Sequence, residues 1–329
     1  MSAARSFTVT FITPHQQTLA GGVYSIHQFA RHLTAVMNVN LLVLTGETQP
    51  LPGVCVRSCQ QLTAETVPDA DAVVLYVNAQ DSGDFFDLPD AKGERLLLFQ
   101  GYSERGSERV RSRLRLGLRV LAVSTWLVEE ARRLGSRPTH TPYGLDRSIF
   151  FPGPPTTSRA PVVSMMCSPV EWKGMADGIA ALAEVKQARP DVELRLFGRR
   201  PPEDLPCTFL TRASREEVAE LLRDSAVFVC PSWEEGFGMP GLEALACGTA
   251  LATTDTKGSR DYAQDGETAL VSPPRSPELW AQNVLRLLDD LELRRSLCER
   301  GIELAQTRFQ DWGRAAEVMG RALEGERSH

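Results

Sequence analysis

The feature that most constrains this chain is an alternation of two kinds of segment. Short runs rich in Val and Leu recur: FTVTFIT (7–13), NLLVLT (40–45), AVVLYV (72–77), RLLLFQ (95–100) and RVLAVS (119–124). Most are apolar almost without interruption, as strands buried on both faces are. Between them lie longer amphipathic segments with helical spacing, for example at 23–36 and 125–134. Strand, helix and strand in succession call for crossover connections. The expected sheet is therefore parallel, with helices on both faces.

The alternation pauses at PGPPTTSRAP (152–161), the stretch richest in Pro, Ser and Thr, which reads as an inter-domain linker. It then restarts with PVVSMMC (161–167), a helix over 174–188, VELRLF (192–197) and PCTFL (206–210). A helix opening on the capping box Ser214-x-x-Glu217 follows. Next come AVFVC (226–230), a helix near 239–247, ALATT (250–254), helices at 277–288 and 290–307, and a helical stretch at 311–324. Ser276 and Pro277 suit the cap and first position of their helix. A length of 329 residues fits two domains. The expected class is α/β, with two doubly wound Rossmann-like domains facing across a cleft and a boundary near residue 155.

Composition removes other readings. A hydrophobic content of 42% and a charged content of 24% are those of an ordinary globular protein. The formal net charge of -6 argues against a dedicated nucleic-acid binder. No apolar run approaches the ~18 residues of a membrane span. The opening MSAARSFTVTFIT lacks the long apolar core of a signal peptide, so a cytoplasmic location is expected. Seven scattered cysteines read as reduced core residues, neither a disulfide frame nor a metal site. No G-x-G-x-x-G follows the first strand, which disfavours a nicotinamide dehydrogenase. Asp69-Ala70-Asp71 spells a D-x-D, but it precedes AVVLYV at the amino end, away from the ligand edge of a parallel sheet. It reads as structural.

The stretch that carries chemistry is CPSWEEGFGMPGLEALACG (230–248), at the carboxyl end of a strand, where open α/β sheets place ligands. Gly236 and Gly238 let backbone approach a ligand closely. Pro240 suits a first helical turn, whose N–H groups and dipole favour an anion such as a diphosphate. Glu235 lies before that helix and Glu243 in its first turn. Carboxylates would be repelled by phosphate and suit sugar hydroxyls better. A helix-starting Glu that only complements the dipole is the plainer alternative for Glu243.

With Glu235, Gly236, Phe237, Gly238 and Glu243 in the pattern E-x(7)-E, the chain resembles the family 4 glycosyltransferases of GT-B fold. VSTWLVEEARRLG…TPYGLDRSIFFP (123–152), EWKGMADGIAAL (171–182), DVELRLFG (191–198) and the region 254–288 agree, so the resemblance covers nearly all of 120–320. Residues 1–119 match more loosely but keep Gly21-Gly22 after the first strand. The resemblance implies an acceptor domain over 1–155, a nucleotide-sugar domain over 156–308, and a helix over 309–329 packing back on the first. It implies transfer of a hexose-type sugar from a UDP-sugar or GDP-sugar to a hydroxyl acceptor with retained configuration, and no required metal or cofactor. Glu243 would bind the ribose and Glu235 the donor sugar. Lys173 would neutralise the diphosphate. The backbone at Gly238, Met239 and Leu242 would hold sugar and phosphate oxygens. Gly22 would close over the diphosphate, and the base would pack near Leu210. The acceptor would be a glycan, a glycolipid or a natural product. An exposed Lys173 opening a helix is the plainer reading of that residue.

Two departures stand out. Many members carry an arginine five residues before the lysine; here that place is Ser168, and Arg199 is the candidate substitute cation. Many carry a histidine near the reaction centre; here the strand end is LLLFQGYSERG, with Gln100 and Tyr102 as candidate acceptor contacts, joined by His15 after the first strand. His27 and His32 read as ordinary helix residues. The departures motivate an alternative, a catalytically silent nucleotide-sugar-binding relative. Residues 105–119 hold six arginines (105, 109, 111, 113, 115 and 119) against one acid, Glu108. That stretch reads as peripheral contact with an anionic membrane, at its inner face, or as a solvated helix face.

Overall fold

The computed structural model describes residues 6–16, 21–78, 85–101 and 107–325. They form two compact units, divided between Gly144 and Leu145, with the chain from Gln310 onward belonging to the first.

In the first unit seven strands form one sheet: β1 (Thr8–Thr13), β2 (Asn38–Val43), β3 (Cys55–Ser58), β4 (Ala72–Tyr76), β5 (Glu94–Phe99), β6 (Arg119–Ala122) and β7 (Arg137–His140). Their order is β3-β2-β1-β4-β5-β6-β7, and every pairing is parallel. Phe11 of β1 pairs with Leu41 on one side and Val74 on the other, in the middle of the unit's core. The helices α1 (Gly21–Leu33), α2 (Ser107–Leu114) and α3 (Thr125–Arg133) belong to this unit.

The second unit has β8 (Val162–Cys167), β9 (Glu193–Gly198), β10 (Thr208–Thr211), β11 (Val227–Cys230), β12 (Ala250–Thr254) and β13 (Leu270–Ser272), in the order β10-β9-β8-β11-β12-β13. All are parallel. Its helices are α4 (Met175–Ala188), α5 (Arg215–Asp224), α6 (Met239–Ala246), α7 (Pro277–Asp289) and α8 (Leu291–Arg308). Both sheets run outward in both directions from their first strand, the Rossmann-like order. Each therefore has a switch point: between β1 and β4 in the first unit, and between β8 and β11 in the second. In the second unit Val163, Leu196, Val229 and Ala252 from the sheet close a core with Leu182, Val185, Val284 and Leu287 from α4 and α7. The expected capping box is present: Ser214 Oγ accepts from the Glu217 amide at 3.1 Å, and the Ser214 amide donates to Glu217 Oε2 at 2.7 Å.

A last helix, α9 (Trp312–Glu324), packs on α1. Its Trp312 ring meets Phe29 edge-on at 5.2 Å. Gly144 leaves room for it, since a Cβ there would lie 2.5 Å from the Trp312 Cα.

The division at 144/145 falls before the expected boundary near 155, because 145–161 is packed into the second unit. The Arg215 and Arg223 guanidiniums lie over the Phe150 and Phe151 rings at 4.8 and 4.3 Å. Arg159 donates to the carbonyls of Pro154 (3.0 Å), Leu222 (3.3 Å), Ser225 (2.9 Å) and Cys247 (3.0 Å). The Pro-rich stretch is therefore a fastened strap. Asp69 and Asp71 are structural as expected: Asp69 pairs with Lys92 at 2.7 Å and Asp71 accepts from the Thr8 amide at 2.8 Å.

Candidate active site

The second unit's switch point is built from the loops that leave β8 and β11. After Cys167 the chain makes a single 3-10 turn, Glu171–Lys173, and Gly174 then takes a left-handed conformation (φ 62°, ψ 25°) that opens α4. Only glycine fits there, because a Cβ would lie 1.9 Å from the Pro231 carbonyl oxygen. The two loops are also tied by hydrogen bonds. The Trp233 amide donates to the Trp172 carbonyl at 2.8 Å, and Trp233 Nε1 donates to Asp177 Oδ2 at 2.6 Å. This close approach brings Lys173 to Glu235: Nζ donates to Oε1 at 2.7 Å, and Ser232 Oγ donates to the same oxygen at 2.7 Å. Both side chains are mostly withdrawn from water, at 24% and 11% exposure.

The glycines of the E-G-F-G segment have separate jobs. Gly238, at φ 89°, ends the loop as the residue before α6. The fully buried Tyr262 hydroxyl donates to its carbonyl at 2.6 Å, and burial holds that hydroxyl well above the ordinary tyrosine value. The Glu235 amide donates to the Thr256 carbonyl at 3.3 Å. Gly258 fits beneath, where a Cβ would lie 2.7 Å from the carbonyl oxygens of Glu235 and Gly236. Phe237, Met239 and Leu242 are buried and anchor the start of α6. Pro240 is in the first turn. The Gly241 amide of that turn donates to the Gly238 carbonyl at 3.1 Å, and the helix start as a whole favours an anion.

Glu243 lies one turn further along than expected, as the fifth residue of α6. It is buried, and Arg215 Nη2 donates to its Oε1 at 2.8 Å. Arg215 was missed by sequence reasoning. One signal pointed to it: a cation at the first position of a helix works against the dipole and calls for another reason.

The other expected donor residues are less gathered. Ser168 lies on the β8 loop, where its Oγ accepts from the Val170 amide at 3.4 Å. Leu210 is half-buried on the edge strand β10. Arg199 follows β9, exposed, and makes no hydrogen bond or ion pair with a described residue. Among the described residues no group of three His, Cys, Asp or Glu is arranged to hold a metal.

In the first unit Gly21 and Gly22 start α1 rather than forming a turn. Gly22 is required for space, since a Cβ would lie 2.8 Å from Gln100 Oε1 and 3.3 Å from the Tyr76 hydroxyl. Gln100, buried at the end of β5, donates from Nε2 to Ser25 Oγ at 2.8 Å, while its Oε1 accepts no hydrogen bond from a described residue. His15 is half-buried after β1, and Tyr102 lies outside the described residues. The arginine-rich stretch is less of a surface than its charge implies. Arg113 is buried over Phe86 at 5.8 Å and donates to the Val77 carbonyl. Arg119 pairs with Glu94 at 2.5 Å and Arg115 with Glu108 at 3.2 Å. Arg105 lies outside the described residues. No described helix is long and apolar enough to cross a membrane.

Comparison with known proteins bears on this geometry. Residues 160–290, which hold Lys173, Glu235 and Glu243, match the family described as Glycosyl transferases group 1. An uncharacterised glycosyltransferase of Methanocaldococcus jannaschii is 34% identical over 97 residues, 30% of this chain and 28% of that one. The phosphatidyl-myo-inositol mannosyltransferase of Mycolicibacterium smegmatis is 27% identical over 258 residues, 73% of this chain and 64% of that one. The chain thus spans less than two thirds of the length of either relative. The Anabaena protein HepE, solved in complex with UDP and glucose, superposes with a TM-score of 0.79 at 15% identity, covering 97% of this chain and 99% of that one. The fold is GT-B, and in sequence the chain resembles the family 4 glycosyltransferases.

Proposed function

We propose that this protein is a glycosyltransferase that moves a hexose-type sugar from a nucleoside-diphosphate sugar to a hydroxyl acceptor, with retained configuration and without a metal. The observation that carries the reading is the Lys173–Glu235 pair beside the start of α6, with Glu243 eight residues beyond Glu235. Departure of a nucleoside diphosphate builds negative charge. A lysine and a helix N-terminus, fixed in a site of reduced water access, are suited to stabilise it. Glu235, held by Lys173 and Ser232, is placed to accept hydrogen bonds from sugar hydroxyls. Glu243 serves the ribose, Leu210 lies on the edge strand where the base would pack, and the leaving phosphate takes the acceptor proton. HepE was solved with UDP and glucose, which favours a UDP-sugar among the donors to try first.

The acceptor side belongs to the first unit, where the unsatisfied Gln100 Oε1 beside Gly22 suits a ligand hydroxyl or N–H, and His15 is a further contact. A glycan or a lipid-linked acceptor is the class expected. Peripheral membrane contact then rests on Arg109 and its neighbours rather than on the whole stretch 105–119.

A second reading, a nucleotide-sugar-binding relative without turnover, is favoured by Ser168 and by the engagement of Lys173 with Glu235. A thermal-shift panel of UDP-, GDP-, dTDP- and ADP-sugars tests binding, since a ligand of the folded state raises its stability. An assay of nucleoside diphosphate release then separates the two readings. Binding without release supports the silent relative, and absence of both removes the donor reading.

A further inference from the structure

Arg215 occupies the first position of α5, next to a capping box that already satisfies the helix end. A cation there is opposed by the helix dipole. Its contacts lie elsewhere: Nη2 donates to Glu243 Oε1 at 2.8 Å, and the guanidinium lies over the Phe150 ring at 4.8 Å. The aromatic face and the carboxylate together fix the plane of the guanidinium. The Glu243 side chain is only 7% exposed, so the pair is largely shielded from water.

We propose that Arg215 is a positioning residue: by holding one oxygen of Glu243, it aims the other oxygen at the ribose, and so sets the preference for ribonucleotide over deoxyribonucleotide donors. The proposal rests on the reading of Glu243 as the ribose contact. A carboxylate free to rotate would spread its acceptor capacity over several directions. One pinned by a stacked guanidinium presents a single lone-pair set to the sugar. A site built to hydrogen-bond a hydroxyl rejects the analogue that lacks it, because a buried acceptor is then left unpaired. Phe150 acts one step further out, by orienting Arg215.

The test compares dissociation constants for UDP and GDP with those of their 2′-deoxy and 3′-deoxy counterparts, in the native protein and in Arg215→Met, Arg215→Lys, Phe150→Leu and Glu243→Ala. The native protein is expected to prefer the ribonucleotides by more than about tenfold. Arg215→Met should reduce that preference to about twofold or less. Arg215→Lys should restore only part of the preference, because an ammonium keeps the charge but does not hold a plane. Phe150→Leu should give a smaller loss in the same direction. A folded Arg215→Met that keeps the full preference overturns the positioning role, provided Glu243→Ala loses it. If Glu243→Ala also keeps the preference, the ribose reading of Glu243 is what fails. Arg215→Lys and Phe150→Leu carry the test should Arg215→Met not fold.

Discussion

Lys173 Nζ lies 2.7 Å from Glu235 Oε1, so the cation proposed to receive a diphosphate already holds a carboxylate beside it. A bound donor must share or displace that partner. Each member of the pair therefore has a distinct expected phenotype.

Replacing Lys173 with Ala should lower turnover by more than about tenfold, roughly 1.4 kcal/mol of transition-state stabilisation. The fold should be unaffected, since the side chain reaches out from a turn whose geometry depends on Gly174. Steady-state release of nucleoside diphosphate, with far-UV circular dichroism as the folding control, makes the measurement. Near-native turnover would remove Lys173 from the mechanism.

Replacing Glu235 with Gln removes a negative charge that competes for Lys173. Free nucleoside diphosphate should bind several-fold more tightly, while sugar transfer falls by about tenfold or more because the sugar loses its acceptor. Isothermal titration with UDP and GDP reads the first effect. Weaker nucleotide binding in Glu235→Gln would contradict the competition.

The sheet strands and the Lys173, Glu235 and Glu243 positions were legible because the signals are local. Continuous apolar runs report burial on both faces, and the glycine pattern around Phe237 belongs to one loop. The strands β3, β7 and β13 were not legible. β3 and β7 are edge strands with mostly exposed residues and no apolar run, and β13 has three residues. Arg215 and Glu243 lie 28 residues apart, and only the packing of α5 beside α6 joins them. The charge run at 105–119 misled for the converse reason. Composition counts arginines, whereas burial decides that Arg113 turns inward. In the strap at 152–161 proline content resembled a linker, while the bonds its Arg159 makes to the Leu222, Ser225 and Cys247 carbonyls made it a packed element.

The Tyr262 hydroxyl and Gly238 should be coupled in stability. Tyr262→Phe removes the 2.6 Å donor to the Gly238 carbonyl, which keeps the Gly241 amide at 3.1 Å, and should cost about 0.5–1.5 kcal/mol. Gly238→Ala should cost more than Tyr262→Phe. Its φ of 89° disfavours a side chain, and the Cβ would lie 2.6 Å from that hydroxyl. Urea denaturation of the two variants measures this, and an unchanged midpoint in Gly238→Ala would show that the loop does not hold this conformation.

Thiol reactivity should sort by burial. Burial pushes Cys167 and Cys247 up to about 12 and Cys230 and Cys298 up to about 11, whereas Cys55 is exposed. At about pH 8 an aromatic disulfide reagent should react fast with Cys55, more slowly with half-buried Cys59 and Cys207, and with the other four only on unfolding. Loss of the fast phase in Cys55→Ser confirms the assignment. A fast phase that persists would mean that another thiol is accessible.

His27 gives the fold a pH dependence whose sign is set by its surroundings. Burial, and then the nearby His15, hold its imidazole below the ordinary 6.5, and its Nε2 is buried without a hydrogen-bond partner among the described residues. The folded chain thus binds this proton less tightly than the unfolded chain. The site's contribution is fully present above the unfolded value and is lost as pH falls through about 6.5 toward the folded value. Between about pH 7.5 and about pH 5.5 the native protein should lose more stability than His27→Gln, which has no proton to take up there. Urea midpoints at the two pH values measure the difference. An equal loss in both proteins would mean that His27 titrates alike in the folded and unfolded chain, which its burial in α1 does not allow.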